Sequence, residues 1–366
     1  MTADKVALFM PDFSGGGAER VMLTLAGEFA RKGYNVDLVV TNARGSIAGD
    51  VPLGVQVVDL DAKRMPASFF KLARYLRRVR PEAMLVSQAP TNCIAIWAKQ
   101  LAHVRTRLVI SEHVAQSVMA GEADSLRFRL LPKLMRYSYP RADAVIAVSG
   151  GVADDLAKLI KFPRDQIKVI YNPVVTPGML ELSHERIDHA WFVPDGPPVI
   201  LGVGRLNKQK DFSTLIRAFA ELRQSLIARL VILGEGDERN KLEVLIAELG
   251  IQEDVELPGF VSNPYKYMRA ASVFVLSSRW EGLPTVLIEA LALGVTVVST
   301  DCPCGPAEIL EKGGCGFLVP VGGVSELVGA IKGACGVNDL VPQGAIRRKY
   351  SLDVAFQQYH QMLYPS

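Results

Sequence analysis

The stretch 199-VILGVGRLNKQKDF-212 opens with an apolar run that predicts a buried strand, and it closes where an amphipathic helix pattern begins. The same alternation of short Val-, Ile- and Leu-rich runs with helical stretches extends over nearly the whole chain. Near-continuous apolar strands separated by helices are typical of a parallel sheet covered by helices on both faces. The other predicted strands are residues 5–10, 36–41, 83–87, 107–111, 144–148, 167–170, 229–233, 255–257, 273–276, 295–299 and 317–319.

A break in this alternation predicts the boundary between two domains. Residues 176–198 contain Pro177-Gly178, two histidines and the run 194-PDGPP-198, a composition typical of a linker. Strand and helix patterns resume after it, so we expect two doubly wound α/β domains, over residues 1–180 and 181–350. A helical, aromatic-rich segment, 351–366, follows. Ligands of such domains bind at the carboxyl ends of the strands, so the loops there are candidate sites.

Composition excludes several classes of protein. The chain has 366 residues, 49% of them hydrophobic and 22% charged, which is typical of a folded globular protein and not of a disordered one. No apolar run reaches the roughly 18 residues of a membrane-spanning helix, and no signal-peptide pattern opens the chain, so we expect a cytoplasmic protein. The chain has five cysteines, and this odd number disfavours a disulfide framework.

Three consecutive glycines follow the first predicted strand, in 14-SGGGAER-20. The backbone of glycine can approach a ligand closely because it carries no side chain, and the N-terminus of a helix attracts anions. The spacing is not G-x-G-x-x-G, and the second strand ends in Val39-Val40-Thr41 without an acidic residue for a ribose. A nicotinamide site is therefore disfavoured, and a plain tight turn is the alternative to an anion site.

Two further loops carry charged residues at strand ends. Arg205 and Lys210 follow the strand 199–203 and can converge on one diphosphate, although a solvated loop is the alternative. In 279-RWEGLPTVLIEA-290, Glu281 lies in a loop after a strand and Pro284 suits the first helical turn. The N–H groups of Thr285, Val286 and Leu287 are then expected to be free at the start of the helix. Glu289 follows among apolar neighbours, where an unpaired carboxylate is costly and a hydroxyl-rich ligand would satisfy it.

These motifs together resemble a known family. The E-x7-E pattern from Glu281 to Glu289, the G-R-L-x3-K pattern and the N-terminal G-G-A-E-R resemble the retaining, nucleotide-sugar-using GT-B glycosyltransferases. The resemblance covers almost the whole chain and implies two Rossmann-like doubly wound domains facing a cleft. It also implies that the C-terminal segment crosses back onto the first domain. A narrower resemblance rests on three segments, 110-ISEH-113, 137-YSYP-140 and 281–289. They are similar to segments of bacterial enzymes that add N-acetylhexosamines to undecaprenyl-diphosphate-linked sugars.

The resemblance implies a donor site in the second domain. Arg205 and Lys210 would hold the diphosphate, and Glu281 would contact the donor sugar. The other implied contacts are the amides of Thr285 and Val286 for the diphosphate, Glu289 for the ribose, the Gly282-Leu283 backbone for the sugar, and Phe260-Val261 for the base.

In the first domain the resemblance implies the acceptor site and two further contacts. Gly16 and Gly17 would face the diphosphate across the cleft, and His113 would lie near the sugar. A histidine bonded within its own loop is the alternative. His113, Glu281, Arg205 and Lys210 are thus the candidate catalytic residues.

No metal or other cofactor is expected. The D-x-D candidate is Asp59-Leu60-Asp61, which matches nothing in the GT-B pattern. Two solvent-exposed acidic residues in a loop are the better interpretation of it. The two cations and the helix terminus can neutralise the departing nucleoside diphosphate. The resemblance implies retention of configuration. Because no nucleophilic carboxylate stands in the matched motifs, we expect this to occur by front-face substitution, in which the leaving phosphate helps to deprotonate the acceptor.

A basic block lies in the first domain. Residues 62–140 contain 14 basic and 4 acidic residues, although the net charge of the chain is only +3. The cations are interleaved with apolar residues, which predicts two basic amphipathic helices that can lie on the anionic inner face of the membrane. Ordinary helices with cations in water are the alternative, and nucleic-acid binding is disfavoured because no recognition motif is present. The block comprises Lys63, Arg64, Lys71, Arg74, Arg77, Arg78, Arg80, Arg127, Arg129, Lys133 and Arg136.

The sequence thus predicts a glycosyltransferase moving a hexose or N-acetylhexosamine from a UDP-sugar, in preference to a GDP-sugar, to a glycan or undecaprenyl-linked glycan. Cell-surface polysaccharide or glycoconjugate synthesis would be its setting. Two alternatives stay open: a UDP-sugar 2-epimerase of the same fold, and a non-catalytic scaffold on the membrane surface.

Overall fold

A computed structural model gives the structure of the chain for residues 4–62, 64–118, 126–336 and 342–365, without the side chains of 126–129. The chain divides into two compact units. Unit 1 comprises Met1–Pro173 together with Leu352–Ser366, and unit 2 comprises Val174–Ser351. The boundaries predicted from the sequence, after residues 180 and 350, lie a few residues away from these.

Unit 1 is built on a parallel sheet whose described strands lie in the order β3-β2-β1-β4-β5-β6-β7. Its strands are β1 (Lys5–Met10), β2 (Asn35–Val40), β3 (Val55–Asp59), β4 (Ala83–Ser87), β5 (Arg107–Glu112), β6 (Ala144–Ala147) and β7 (Ile167–Val169). Its helices are α1 (Gly17–Arg31), α2 (Ser68–Val79), α3 (Thr91–Ala102), α4 (Leu126–Ser138) and α5 (Gly150–Ile160), with the C-terminal α14 (Leu352–Leu363).

Unit 2 repeats the plan with the described strand order β10-β9-β8-β11-β12-β13. Its strands are β8 (Val199–Val203), β9 (Arg229–Leu233), β10 (Val255–Gly259), β11 (Val273–Leu276), β12 (Val297–Thr300) and β13 (Phe317–Val319). Its helices are α6 (Pro177–Leu182), α7 (Phe212–Arg223), α8 (Arg239–Glu248), α9 (Tyr265–Ala270), α10 (Thr285–Ala292), α11 (Pro306–Ile309), α12 (Val324–Cys335) and α13 (Gln343–Lys349).

The central strands of both sheets are apolar on both faces. The central strands β1, β4, β8 and β11 are buried or nearly so along their length, and helices supply the cover that such strands need. The order of strands reverses direction between β1 and β4, and again between β8 and β11. In open α/β sheets of this kind, ligands bind at the carboxyl ends of the strands beside such a switch point.

The segment 176–198, interpreted from sequence as a linker, contains a helix. Thr176 caps α6, since its hydroxyl accepts a hydrogen bond from the backbone N–H of Met179 at 3.2 Å, and Pro177 takes the first helical position. Both are ordinary start signals of a helix, which the high density of Pro, Gly and His around them obscures.

The C-terminal helix α14 belongs to unit 1. Phe356 packs edge-on against Phe29 of α1 with 4.8 Å between the ring centroids, and Tyr359 and Leu363 are buried in the same core. The Arg107 guanidinium donates to the backbone carbonyl of Met362 at 2.7 Å. Within the described residues, none of the helices is both long and apolar enough to cross a membrane.

Candidate active site

The loops after β8 and β11 meet in unit 2 through a buried ion pair. β8 and β11 are paired, so the loops that leave their carboxyl ends, 204–211 and 277–284, are neighbours. The Lys210 ammonium lies 2.6 Å from Oε1 of Glu281, whose side chain is buried. The hydroxyl of Ser278 donates to the same oxygen, also at 2.6 Å. Two predicted site residues are therefore brought together, and one oxygen of Glu281 is held by two donors.

Backbone and side-chain hydrogen bonds tie the same two loops together beside this pair. The Ser277 hydroxyl donates to the carbonyl of Lys210 at 2.8 Å, and the N–H of Arg279 donates to the carbonyl of Gln209 at 2.8 Å. The Gln209 amide donates in return to the carbonyl of Trp280 at 2.9 Å. The protein's own hydrogen bonds thus hold the two loops together, which is the condition for a preorganised site.

A second ion pair connects the same two loops. Arg279 Nε lies 3.0 Å from Oδ2 of Asp211, the residue that precedes α7. Burial acts to raise the pKa of Asp211, but hydrogen bonds from Arg279, Ser213 and Thr214 outweigh it and lower that pKa below its usual value. Asp211 therefore stays a carboxylate and anchors the start of α7 to the β11 loop.

Close backbone approach explains two glycines of this region. Gly204 lies under the aliphatic stem of Lys210, with 3.1–3.3 Å from an added Cβ to that side chain. Gly234 has φ +144°, and a Cβ there would lie 1.9 Å from the carbonyl oxygen of Gly204. A side chain at Gly234 would therefore displace the loop that carries Lys210.

Arg205 lies in the same loop but has a different environment. Its side chain is exposed and makes no ion pair or hydrogen bond with any residue that the structure describes. The Lys210 side chain, by contrast, is only 15% exposed. The convergence of the two cations on one diphosphate stays a prediction, because the Lys210 ammonium is paired with Glu281.

The helix α10 begins beside Glu281, as its Pro284 pattern predicts, with Pro284 in the position before the first helical residue. The N–H of Leu287 donates to the carbonyl of Pro284 at 3.2 Å, so the expectation of a free amide at Leu287 is wrong. Among the described residues, the amides of Thr285 and Val286 have no backbone acceptor. Glu289 lies one turn further on and is half-buried.

The loop after β12 is hydrogen-bonded to the Glu281 loop and packs against it, a contact that was not predicted from the sequence. The N–H of Glu281 donates to the carbonyl of Pro303 at 3.2 Å. Gly305 has φ +95°, and a Cβ there would lie 2.6 Å from the ring of Pro284. Burial is the main cause that raises the pKa of the neighbouring Cys302 thiol, to about 12, and the charge of Glu281 adds to it. In the described part of the chain, no three His, Cys, Asp or Glu side chains are grouped as a metal site.

Phe260 is the first residue after β10, and its ring is 69% exposed. Val261 beside it is half-buried, and Gly282 and Leu283 are buried in the Glu281 loop. An exposed aromatic ring at a strand end offers a stacking surface, but nothing in the structure assigns it a ligand.

In unit 1, the glycine-rich loop forms the predicted turn from β1 into α1. Gly15 has φ +87°, Gly16 precedes the helix and Gly17 is its first residue. A Cβ at Gly17 would meet no atom within 4 Å, so packing alone does not require glycine at that position. Asp59 and Asp61 form a local turn, since the N–H of Asp61 donates to the Asp59 carboxylate at 2.7 Å.

His113 directly follows β5 and is buried. Its Nε2 lies 3.0 Å from the hydroxyl of Ser111, while its Nδ1 has no partner among the described residues. Burial lowers the pKa of His113 to about 4, so the ring is neutral at physiological pH. A neutral ring with a free nitrogen can exchange a hydrogen bond with a sugar hydroxyl.

The segments 110–113 and 137–140, which carry the narrower resemblance, are in contact. The carboxylate of Glu112 accepts hydrogen bonds from the Tyr139 hydroxyl and from Asn92 Nδ2, the latter at 2.7 Å. Sequence reasoning assigned no role to Glu112, Tyr139 or Asn92. The one available signal was the placement of a glutamate at the end of an otherwise apolar strand.

Two α/β units with charged loops at the switch point of the second are characteristic of the GT-B glycosyltransferases. The sequence profile described as Glycosyltransferase Family 4 matches residues 15–176, and the profile described as Glycosyl transferases group 1 matches residues 183–335. The chain belongs to this glycosyltransferase family, which confirms the predicted family and fold class.

Similarity to two curated relatives extends over most of their length. The chain is 33% identical to the Campylobacter jejuni N-acetylgalactosamine-N,N'-diacetylbacillosaminyl-diphospho-undecaprenol 4-alpha-N-acetylgalactosaminyltransferase, over 90% of this chain and 89% of that protein. It is 27% identical to the lipopolysaccharide core biosynthesis glycosyltransferase LpsE of Rhizobium meliloti, over 89% and 87%. Among solved structures, Anabaena HepE in complex with UDP-glucose has a TM-score of 0.78 at 19% identity, covering 98% of this chain and 99% of that one.

The burial of His113 should make the stability of the chain depend on pH. Its pKa of about 4 in the folded chain lies below the value near 6.5 of an exposed histidine, so the unfolded chain binds more protons between these values. The contribution of His113 to stability should therefore be complete above pH 6.5 and be lost as the pH falls to about 4. A nitrogen-15 NMR titration should find a neutral ring at pH 5.5, and a midpoint near 6.5 would contradict the burial described here.

Proposed function

We propose that this protein transfers a hexose or N-acetylhexosamine from a UDP-sugar to a glycan carried on undecaprenyl diphosphate, in the synthesis of a cell-surface polysaccharide or glycoconjugate. The observation that carries the proposal is the Lys210–Glu281 pair at the switch point of unit 2, with exposed Arg205 in the same loop. The name of the Campylobacter relative supports the acceptor, and the UDP-glucose in the HepE structure supports the donor.

Recognition of the donor diphosphate rests on cations and amides. Arg205 supplies two parallel donors on a planar fork, and Lys210 supplies a compact positive charge. The unpartnered amides of Thr285 and Val286 add the positive end of the α10 dipole. Together these groups stabilise the charge that develops on the departing nucleoside diphosphate, so we propose that the reaction needs no metal ion.

Recognition of the sugars rests on the two glutamates. Glu281 Oε1 is occupied by Lys210 and Ser278, and its second oxygen accepts from a hydroxyl of the donor sugar beside the Gly282-Leu283 backbone. Glu289, half-buried on α10, accepts from the ribose hydroxyls. Phe260 and Val261 at the end of β10 hold the base.

Transfer proceeds with retention at the anomeric carbon. The acceptor oxygen bonds to that carbon on the face from which the phosphate leaves, the carbon–oxygen bond to the diphosphate breaks, and the acceptor proton moves to the departing phosphate oxygen. Atoms and charge balance without a protein nucleophile. The neutral, buried His113 contributes a hydrogen bond to a sugar hydroxyl and not a proton.

Nucleotide binding tests the donor site. Lys210→Ala and Glu289→Ala should each lower UDP affinity at least about tenfold, since each removes a hydrogen bond that involves a charged group. Calorimetry with UDP, GDP and ADP, with and without Mg²⁺, measures the affinity, and we expect UDP to bind selectively and independently of Mg²⁺.

Lys208 and Glu248 provide matched controls for this experiment. Both are exposed, and Lys208 lies in the same loop as Lys210. Lys208→Ala and Glu248→Ala should keep wild-type affinity. Failure of the wild-type protein to bind any of the three nucleotides would reject the donor site and favour a non-catalytic scaffold.

The stereochemical proposal has its own test. Proton NMR of the product formed from an α-linked UDP-sugar should show an α-linkage from the first turnover. Mass spectrometry of the enzyme under turnover should find no covalent sugar adduct. A β-linked product, or a trapped glycosyl-enzyme, would contradict front-face substitution.

A lipid-linked acceptor requires the enzyme to reach a membrane surface, and one face of unit 1 suits this. α2 and α4, the two predicted basic helices, both contact α3. Large apolar side chains are exposed on both: Phe70 on α2, which is 71% exposed, and Leu130, Leu134 and Tyr137 on α4. Exposed Arg74 and Arg78 lie on α2 as well. Lys63 and the side chains of Arg127 and Arg129 lie outside the described residues.

Vesicle binding tests this surface. Arg74→Glu combined with Arg78→Glu should lower partitioning to anionic phosphatidylglycerol vesicles at least about tenfold, because each cation near such a surface contributes about 1 kcal/mol. Co-sedimentation measures the bound fraction, and Arg217→Glu, an exposed change on α7 of unit 2, should have no effect. Equal binding of the double variant and the wild type would reject the surface.

A further inference from the structure

Glu112, at the end of β5, has a fully buried carboxylate without a cationic partner among the described residues. Neutral donors hold it instead. Asn92 Nδ2 and the Tyr139 hydroxyl donate to Oε1, the former at 2.7 Å, and Gln116 Nε2 donates to Oε2 at 2.9 Å. The backbone N–H of Ala89 is a fourth donor.

These donors come from four separate parts of unit 1. Ala89 lies in the loop after β4, Asn92 in the first turn of α3, Gln116 in the segment after β5, and Tyr139 directly after α4. One carboxylate therefore ties together the chain segments that leave the carboxyl ends of β4 and β5. Its removal would release all four.

The segment that Glu112 holds includes His113. The His113 ring is fixed on one side by the Ser111 hydroxyl at 3.0 Å, and the Ser111 carbonyl accepts from Asn92 Nδ2 at 3.0 Å. Its Nδ1 is buried without a described partner. Asn92 thus bonds both to the Glu112 carboxylate and to the residue that orients the His113 ring.

Stability alone does not explain a carboxylate in this position. Burial raises the pKa of Glu112 to about 7, against a usual value near 4.5, so the folded chain holds the ionised form at a cost. The unfolded chain binds fewer protons than the folded one between these values, so this group destabilises the fold as the pH rises from 4.5 to 7. A neutral side chain of the same size would avoid that cost.

We propose that the Glu112 carboxylate is a positioning residue, which holds the segments after β4 and β5 so that His113 Nδ1 meets a hydroxyl of the sugar substrate. The inference rests on the proposed function, because it presumes a sugar at His113. Glu112 itself touches no substrate and acts through Asn92, Ser111 and the backbone of its own loop.

Protonation of Glu112 should disable this arrangement. A carboxylic acid has one acceptor fewer, and its new O–H would face groups that are themselves donors. The titratable groups around it stay neutral near pH 7: burial raises the pKa values of Tyr139 and Cys93 and lowers that of His113 to about 4. Turnover should therefore fall as the pH drops through about 7.

The test compares Glu112→Gln, Tyr139→Phe and the wild type, with Tyr267→Phe, at a half-buried tyrosine on α9 of unit 2, as the matched control. At pH 8, Glu112→Gln should lower kcat at least tenfold, leave KM for the donor within twofold, and keep or raise Tm. Tyr139→Phe removes one donor to the carboxylate, so the acid limb of its kcat profile should move up by about one pH unit. Tyr267→Phe should leave the limb in place.

Three results of the kinetic and melting measurements would overturn the inference. They are full kcat in Glu112→Gln, a kcat loss that accompanies a large fall in Tm at pH 8, and an acid limb that does not move in Tyr139→Phe. Nitrogen-15 shifts of the His113 ring give a readout independent of turnover. If the wild type transfers no sugar, the proposed function fails, whereas unchanged His113 shifts in Glu112→Gln would reject the positioning role on their own.

Discussion

The arrangement of the loops in the second unit depends on the 2.6 Å contact between Lys210 and Glu281. It joins the loops that leave two adjacent strands at the point where the strand order reverses, and it buries one charge of each sign where an unpaired charge would be costly. The other contacts of these loops are arranged around it. The Arg279–Asp211 pair holds the start of α7, and the Pro303 carbonyl holds the Glu281 backbone.

The two units use the same topology with different chemistry. In unit 2 the loops at the switch point are joined by ion pairs, and an exposed Arg205 and a helix terminus lie beside them. In unit 1 the segments after β4 and β5 are joined by neutral donors around one carboxylate, Glu112. Cations suit the binding of a diphosphate. A cluster of neutral donors and a neutral His113 suits the orientation of sugar hydroxyls without attracting an anion.

Much of the fold follows from the sequence, because parallel strands are apolar along their whole length and stand out between amphipathic helices. Strands 199–203, 229–233, 273–276 and 317–319 have the predicted bounds. The helix α6 was missed because Pro and Gly dominate its surroundings. The free amide expected at Leu287 was wrong because the first turn of α10 closes on the carbonyl of Pro284, a detail that residue types do not encode.

The sequence by itself determined the family, the two α/β units and the loops that carry charged residues, since each depends on local pattern and on spacing along the chain. Only the tertiary structure decided which of those residues meet. Lys210 and Glu281 are 71 positions apart, and Asn92, Glu112 and Tyr139 come from three different elements. Strand order brings them together, and strand order depends on which apolar faces pack against one another, a long-range choice that no local pattern specifies.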